Sequence, residues 1–211
     1  AYRLIELQKK YGRSGQYVSN SIQTNGILID KEFCQLFKKY YFLIGVSLDG
    51  PKEIHDHYRK NFSEEGSYER VMRGINLLKT YEVEFNILTV ITDRSVKYAK
   101  LIYEYLTNEG FFYHQYIPCV EFEEDGVTPK PYSVNPDEYG DFLCEMFDLW
   151  IKDFPKVSIR FFDSLLAYLI NGSINICEIG KECNNYMVVE YNGDIFPCDF
   201  HVDRKLSLIH I

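Results

Sequence analysis

Apolar positions along the chain follow two periods that alternate. Leu4, Ile5, Leu7 and Tyr11 share a helical stripe that Gly12 ends. The β-rich stretch Tyr17–Ile22 predicts a short strand, and Asn25-Gly26 a turn. Asp30 predicts the cap of a helix whose apolar face is Phe33, Leu36, Phe37 and Tyr40. Phe42–Leu48 (FLIGVSL) is nearly continuous in apolar residues, the mark of a strand buried on both faces, and Asp49-Gly50-Pro51 breaks it. A long polar loop is expected next, until Ser67 opens a helix carrying Val71, Met72, Ile75 and Leu78 on one side. Val83–Ile91 predicts another buried strand, Ser95–Asn108 a helix stopped by Gly110, and Phe111–Val120 a further strand. Such alternation implies parallel strands joined by helical crossovers, an α/β fold.

Beyond Val120 the pattern loosens. Glu121–Pro136 is rich in Pro and Glu, and its acidic run Glu121–Asp125 reads as a solvated loop. A strong helix follows from Asp137 to about Phe154, with Tyr139, Phe142, Leu143, Met146, Phe147 and Trp150 as its stripe. Val157–Phe162 predicts a short strand and Ser164–Ile170 a helix. The segment MVVEYNGDIFPC predicts a hairpin with Asn192-Gly193 as a two-residue turn. No internal repeat, low-complexity tract or long linker separates independent domains.

Composition narrows the function classes. An apolar fraction of 46% and an aromatic fraction of 16% support a large core. The formal charge of −8 argues against a nucleic-acid partner, because a phosphate backbone demands a basic face. No apolar run reaches the ~18–20 residues of a membrane span, and no secretory signal opens the chain, so a cytoplasmic protein with no membrane partner is expected. Six cysteines then read as thiols, metal ligands or chemistry rather than a disulfide framework. The chain has no initiator Met, starts inside a helical stripe and closes on LSLIHI, so it is expected to be an internal fragment.

In parallel α/β sheets and barrels, ligands bind at the carboxyl ends of the strands. Polar clusters fall there: Gln23-Thr24-Asn25, Ser47 to Gly50, and Pro118-Cys119-Val120. Ser47 and Asp49 suit the hydroxyls or amine of a small molecule, with a turn or cap role as the alternative for Asp49. Arg59 suits a ligand carboxylate, with a surface arginine as the alternative. Gln23 and Asn25 carry amides fit to read a peptide or nucleoside, or serve the turn. His55 and His57 lie in the expected loop without a third ligand nearby, which disfavours a metal site. Cys34 and Cys144 fall on helical apolar faces and are expected in the core; Cys119, at a strand end, is ambiguous.

Cys177, Cys183 and Cys198 form the strongest constellation, spaced Cys-x5-Cys-x9-Gly-x4-Cys-Asp. Thiolates bind soft metals and iron–sulfur clusters. The spacing fits a cluster better than the closely paired ligands of structural zinc; three buried thiols are the remaining alternative. Asp199, beside Cys198, is either a general base, favoured if burial raises its pKa, or a solvated turn residue.

The segments SIQTNGILID, LIGVSLDGPKEIHDHYRK and VEFNILTVIT, with the Cys-x5-Cys…NGDIFPCDF block, resemble the anaerobic sulfatase-maturating enzymes, from about Tyr17 to Val202. These are radical S-adenosylmethionine (SAM) enzymes with a SPASM-type auxiliary-cluster domain. The resemblance implies a partial (β/α)6 barrel over residues 1–155, then the barrel end and the start of a truncated SPASM region over 156–211. It implies [4Fe–4S] clusters and SAM as cofactors, a sulfatase polypeptide as substrate, and an electron donor such as flavodoxin or ferredoxin. The implied reaction converts a Cys or Ser to Cα-formylglycine. It starts when a 5′-deoxyadenosyl radical takes a hydrogen from the β-carbon. By the same resemblance Ser47 and Arg59 bind SAM, and the backbone of Val120 contacts its adenine. Cys177, Cys183 and Cys198 ligate the first auxiliary cluster, and Asp199 is the general base. Another SPASM peptide maturase, forming a thioether or a peptide-derived cofactor, and a zinc-stabilised binding module are the competing readings.

The chain departs from the family in three places. The Cys-x3-Cys-x2-Cys motif that holds the SAM-cleaving cluster and the Gly-Gly-Glu segment are absent from these 211 residues, and SLIHI does not match the family's Leu-Gly-Asn-Ile-like stretch. The 211 residues alone, reconstituted with iron and sulfide under reducing anaerobic conditions, are therefore expected to release no 5′-deoxyadenosine above a no-protein control, as chromatography would measure.

Overall fold

The computed structural model describes residues 2–180, 187–199 and 202. The chain divides into two compact units after Arg160.

The first unit opens with helix α1 (Tyr2–Tyr11) and then alternates strands and helices. The strands are β1 (Ser21–Thr24), β2 (Leu43–Ser47), β3 (Phe85–Ile91), β4 (Tyr113–Pro118) and β5 (Ser158–Ile159). Between them run α2 (Lys31–Lys39), the pair α3 (Lys52–Tyr58) and α4 (Tyr68–Thr80), α5 (Ala99–Asn108) and α6 (Pro136–Asp153). All strand pairs are parallel, and the sheet order is the chain order, β1-β2-β3-β4-β5. Right-handed crossovers in one direction place every helix on the same face. This is the parallel α/β sheet expected from the alternation, in the partial-barrel form that the resemblance implies.

The register makes the two faces explicit. Thr24, Val46, Ile87, His114 and Ile159 form one row across the sheet. Its last four members are fully buried beneath the helices with Trp150, Phe142, Ile102 and Ile75. The neighbouring rows point the other way: Gln23, Gly45 and Asn86 below, and Ser47, Leu88 and Gln115 above. In these rows Ser47, Asn86 and Gln115 are polar and half-exposed and Gln23 is exposed, whereas Gly45 and Leu88 are buried. A Cβ on Gly45 would stand 2.8 Å from Leu88 Cδ1, so that close approach needs glycine.

Local signals set the helix ends. Asp30 accepts a hydrogen bond from Phe33 N at 2.9 Å, as its sequence position predicts. Asn135 accepts from Asp137 N and Glu138 N, and Pro136 fills the first turn of α6. Trp150 closes the far end of that helix, its indole N–H donating to Val157 O at 2.8 Å.

Several sequence expectations are corrected. The first strand is Ser21–Thr24 rather than Tyr17–Ile22; Tyr17 is 88% exposed, so its β propensity finds no partner. Strand β2 is buried on both faces only at its centre: Ile44, Gly45 and Val46 are buried, whereas Leu43 is 48% exposed and Ser47 half-exposed. The long polar loop after Pro51 contains α3. Strand β5 has two residues, and helix α7 (Arg160–Asn171) begins where the strand was expected to continue, because the stripe of that helix extends back through Phe162. Cys34 is buried, whereas Cys144 is exposed on α6.

The second unit contains the rest of α7, a 3₁₀ turn at Cys177–Ile179 and a hairpin of β6 (Val188–Val189) with β7 (Ile195–Phe196). Its register pairs Val188 with Phe196 and Val189 with Ile195. Glu190 N then bonds Asp194 O, and Gly193 N bonds Glu190 O, both at 2.9 Å. The connection is thus a three-residue loop with Gly193 left-handed at φ 92°, rather than the two-residue turn expected from Asn-Gly. Among the described residues no helix is long and apolar enough to cross a membrane.

His114 gives the fold a pH signature. Its Nε2–H donates to Phe111 O at 2.8 Å, and its Nδ1 accepts from Tyr116 Oη at 3.1 Å. Burial pushes its pKa down to about 4. The unfolded chain therefore binds a proton that the fold excludes between pH 6.5 and 4. Stability is full above pH 6.5 and falls across that window by up to about 1.4 kcal/mol per pH unit from this residue. Urea midpoints measured from pH 7.5 to 4.5 should fall, and His114→Gln should reduce the slope.

Candidate functional site

The carboxyl ends of β1 to β5 share one edge of the sheet. Strand β2 delivers Ser47 there, half-buried on the helix-free face. Leu48 N bonds Leu88 O at 3.0 Å, and Leu48 O accepts from Thr89 Oγ1 at 2.8 Å. The ladder is then finished by a side chain: Asp49 Oδ1 accepts from Val90 N at 2.9 Å.

Asp49 does more than end a strand. Its carboxylate receives both Nε and Nη2 of Arg59, Nη2 at 3.0 Å from Oδ1, a two-pronged pair in a largely buried place. Asp49 is therefore the partner of Arg59 rather than the free ligand-binding carboxylate that the sequence allowed. Among the described residues no protein acceptor bonds Arg59 Nη1.

Helix α3 carries Arg59 at its C-terminal end. Pro51 leads into it and Glu53 occupies its first turn. His55, one turn before Arg59, is fully buried. Its Nδ1 accepts from Asp49 N at 3.2 Å, and its Nε2 lies 3.0 Å from Ser67 Oγ. Accepting at Nδ1 leaves the proton on Nε2, which donates to Ser67; that hydroxyl donates on to Arg59 O at 2.8 Å. Burial, reinforced by the Arg59 charge against the opposing pull of Asp49 and Asp56, pushes the His55 pKa down to about 4. Ser67 is thus occupied and leaves the start of α4 uncapped. Asp56 supplies the cap, accepting from Tyr68 N at 2.9 Å. Gly66 makes room, since a Cβ there would overlap the Asp56 carboxylate at 2.1 Å.

The far end of α3 is tied to the loop after β3. Tyr58 Oη donates to Asp93 Oδ1 at 2.8 Å, which together with burial raises the Tyr58 pKa. Past β4, Cys119 N bonds Ile91 O at 2.8 Å, Cys119 O accepts from Val134 N, and Glu121 N donates to Ser133 Oγ. Between them Val120 is exposed, and among the described residues neither its N–H nor its C=O has a protein partner. Burial raises the pKa of Cys119, with help from Glu121, Asp93 and Asp49, so it remains a thiol.

The remaining sequence candidates lie in the second unit. Cys177 begins the 3₁₀ turn, exposed, its thiol 3.6 Å from Glu178 Oε2. Cys198 follows β7, half-buried, its Sγ 3.5 Å from Asp199 Oδ1. Asp199 is exposed. Cys183 lies outside the described residues. Among the described residues no three His, Cys, Asp or Glu side chains converge on one point.

Ser47, Arg59 and Val120 thus follow β2, α3 and β4, with β3 lying between the two strands. A family model described as the Radical SAM superfamily matches residues 1–106. The chain belongs to the radical SAM superfamily. Curated relatives of this radical SAM chain include a cysteine-type anaerobic sulfatase-maturating enzyme of Clostridium novyi, 41% identical over 98% of the chain and 56% of the relative. A serine-type anaerobic sulfatase-maturating enzyme of Bacteroides thetaiotaomicron is 40% identical over 99% of the chain and 54% of the relative. Among solved structures, native anSMEcpe with bound AdoMet and Cp18Cys peptide superposes with a TM-score of 0.91 at 39% identity, covering 98% of the chain and 58% of that protein. The radical SAM chain spans a little over half the length of these proteins.

Sequence reasoning missed the roles of His55, Asp56 and Ser67. A signal existed: Pro51 followed by KEIHDHY places His55 and Arg59 one helical turn apart. Asp49→Ala leaves the Arg59 guanidinium without its carboxylate and Val90 N without an acceptor. It should cost about 2–3 kcal/mol, discounted for the partial exposure of Arg59. Ser47→Ala should cost under about 0.5 kcal/mol. Guanidinium unfolding checks both.

Proposed function

We propose that this chain is part of an anaerobic sulfatase-maturating enzyme that converts a Cys or Ser of a sulfatase polypeptide to Cα-formylglycine. The observation that carries this reading is 40% identity across nearly the whole chain to maturases of both the cysteine and the serine type. It supports the reaction class and leaves the choice between Cys and Ser open.

The residues present fit SAM. Ser47 offers a hydroxyl, Arg59 a guanidinium edge and Val120 a main-chain donor and acceptor, none taken by a protein partner among the described residues. These complement a carboxylate, sugar hydroxyls and a purine edge. Cys177 and Cys198, with Cys183, offer the thiolate donors an iron–sulfur cluster takes. When bound, the clusters and SAM supply the one-electron chemistry that removes a hydrogen from the substrate β-carbon.

The chain's own residues bind, orient and move a proton. Asp49 fixes the plane of the Arg59 guanidinium so that its outer edge meets a carboxylate with little reorganisation. Asp199 takes the proton from the substrate thiol or hydroxyl. We further read residues 156–211 as the barrel end and the beginning of an auxiliary-cluster region, with a flavodoxin or ferredoxin as electron donor and the cytoplasm as the compartment.

The full-length reconstituted protein, given SAM, a reductant and a sulfatase peptide with a Cys/Ser-x-Pro-x-Arg segment, should yield an aldehyde detectable by mass spectrometry. Failure with both the Cys and the Ser peptide, alongside active SAM cleavage, overturns the reading. Asp199→Asn should block peptide oxidation by about 100-fold or more while sparing SAM cleavage; equal loss of both removes Asp199 from the base role.

A further inference from the structure

We propose that His55 is a positioning residue for SAM recognition: in its neutral Nε2–H form it holds both ends of the Asp49–Arg59 pair and so sets the direction of the guanidinium. The inference rests on the reading of Arg59 as a SAM-binding residue.

The imidazole is fully buried and touches the pair through the main chain on both sides. At one end Nδ1 accepts from Asp49 N. At the other, Nε2–H donates to Ser67, whose hydroxyl donates to Arg59 O. Two main-chain bonds close the ring: Arg59 N donates to His55 O at 3.1 Å, and Ser67 N donates to Arg59 O at 3.0 Å. The carboxylate end is fixed once more by Val90 N. These bonds fix the Arg59 backbone, and the two bonds to Asp49 fix its side chain. The charged groups facing His55 are Asp49 at the end of β2, Arg59 at the end of α3 and Asp56 within it; the Tyr68 ring stands edge-on at 6.1 Å. Only a neutral ring can accept from Asp49 N and donate to Ser67 Oγ at once. A purely space-filling histidine would need neither bond.

The full-length protein, reconstituted anaerobically, tests this with SAM and peptide kinetics. Arg59→Ala is the control for the underlying reading: unchanged SAM affinity there defeats that reading itself. With that control positive, His55→Ala should raise the KM for SAM about tenfold, the loss expected from two neutral hydrogen bonds, with kcat and the peptide KM within about threefold. His55→Asn puts an amide oxygen where Nδ1 stands and should return the KM for SAM to within about threefold of the parent. An unchanged KM for SAM in His55→Ala, a parallel rise in the peptide KM, or no rescue by Asn overturns the proposal. Should His55→Ala fail to accumulate, Ser67→Ala interrupts the same ring from the other side. It should raise the KM for SAM about threefold, and no change there overturns the proposal equally.

Discussion

A sheet that grows in one direction commits all its crossover helices to one side. With strand order equal to chain order, each right-handed crossover lands where the last one did. The row Val46, Ile87, His114 and Ile159 can then be buried without exception, and it carries the core of the first unit. The opposite rows are released from that duty. They hold Gly45, Ser47, Asn86 and Gln115, residues too small or too polar to build an apolar interior.

Where strands leave this sheet, main-chain groups are left without ladder partners. Asp49 resolves this for β2 and β3 by accepting from Val90 while gripping Arg59. One carboxylate thus couples the edge of the sheet to the Arg59 guanidinium. Removing it unties the strand edge and the guanidinium together, whereas the Ser47 side chain completes no hydrogen bond among the described residues.

The fold was legible because burial here follows period. Long amphipathic segments such as α4 and α6 and the apolar strands announce themselves. Short or polar elements do not. Helix α3 hides because its buried pillar is a histidine, a residue that reads as surface. The start of α7 looks like a strand because Phe161 and Phe162 suit either period over so few positions. In the hairpin, Asn192-Gly193 signals a turn, but the extra residue Tyr191 changes its class. At the site, the strand-end position of Ser47 and Val120 follows from topology. The pairing of Asp49 with Arg59 joins two elements across a turn, and Cys144 is exposed because its helix turns that side outward. Neither is encoded in local pattern.

The exchange of caps at α4 has a consequence for how the molecule reports on itself. Ser67 gives its hydroxyl to the arginine loop, while Asp56 reaches over to hold Tyr68 N. The first turn of α4, where Arg70 N and Val71 N bond Ser67 O, is thereby fastened to the loop that presents the guanidinium. Any event that loosens or steadies that loop is transmitted to amides well away from the edge of the sheet. Deuterium uptake at the head of this helix would register the state of the loop from a distance.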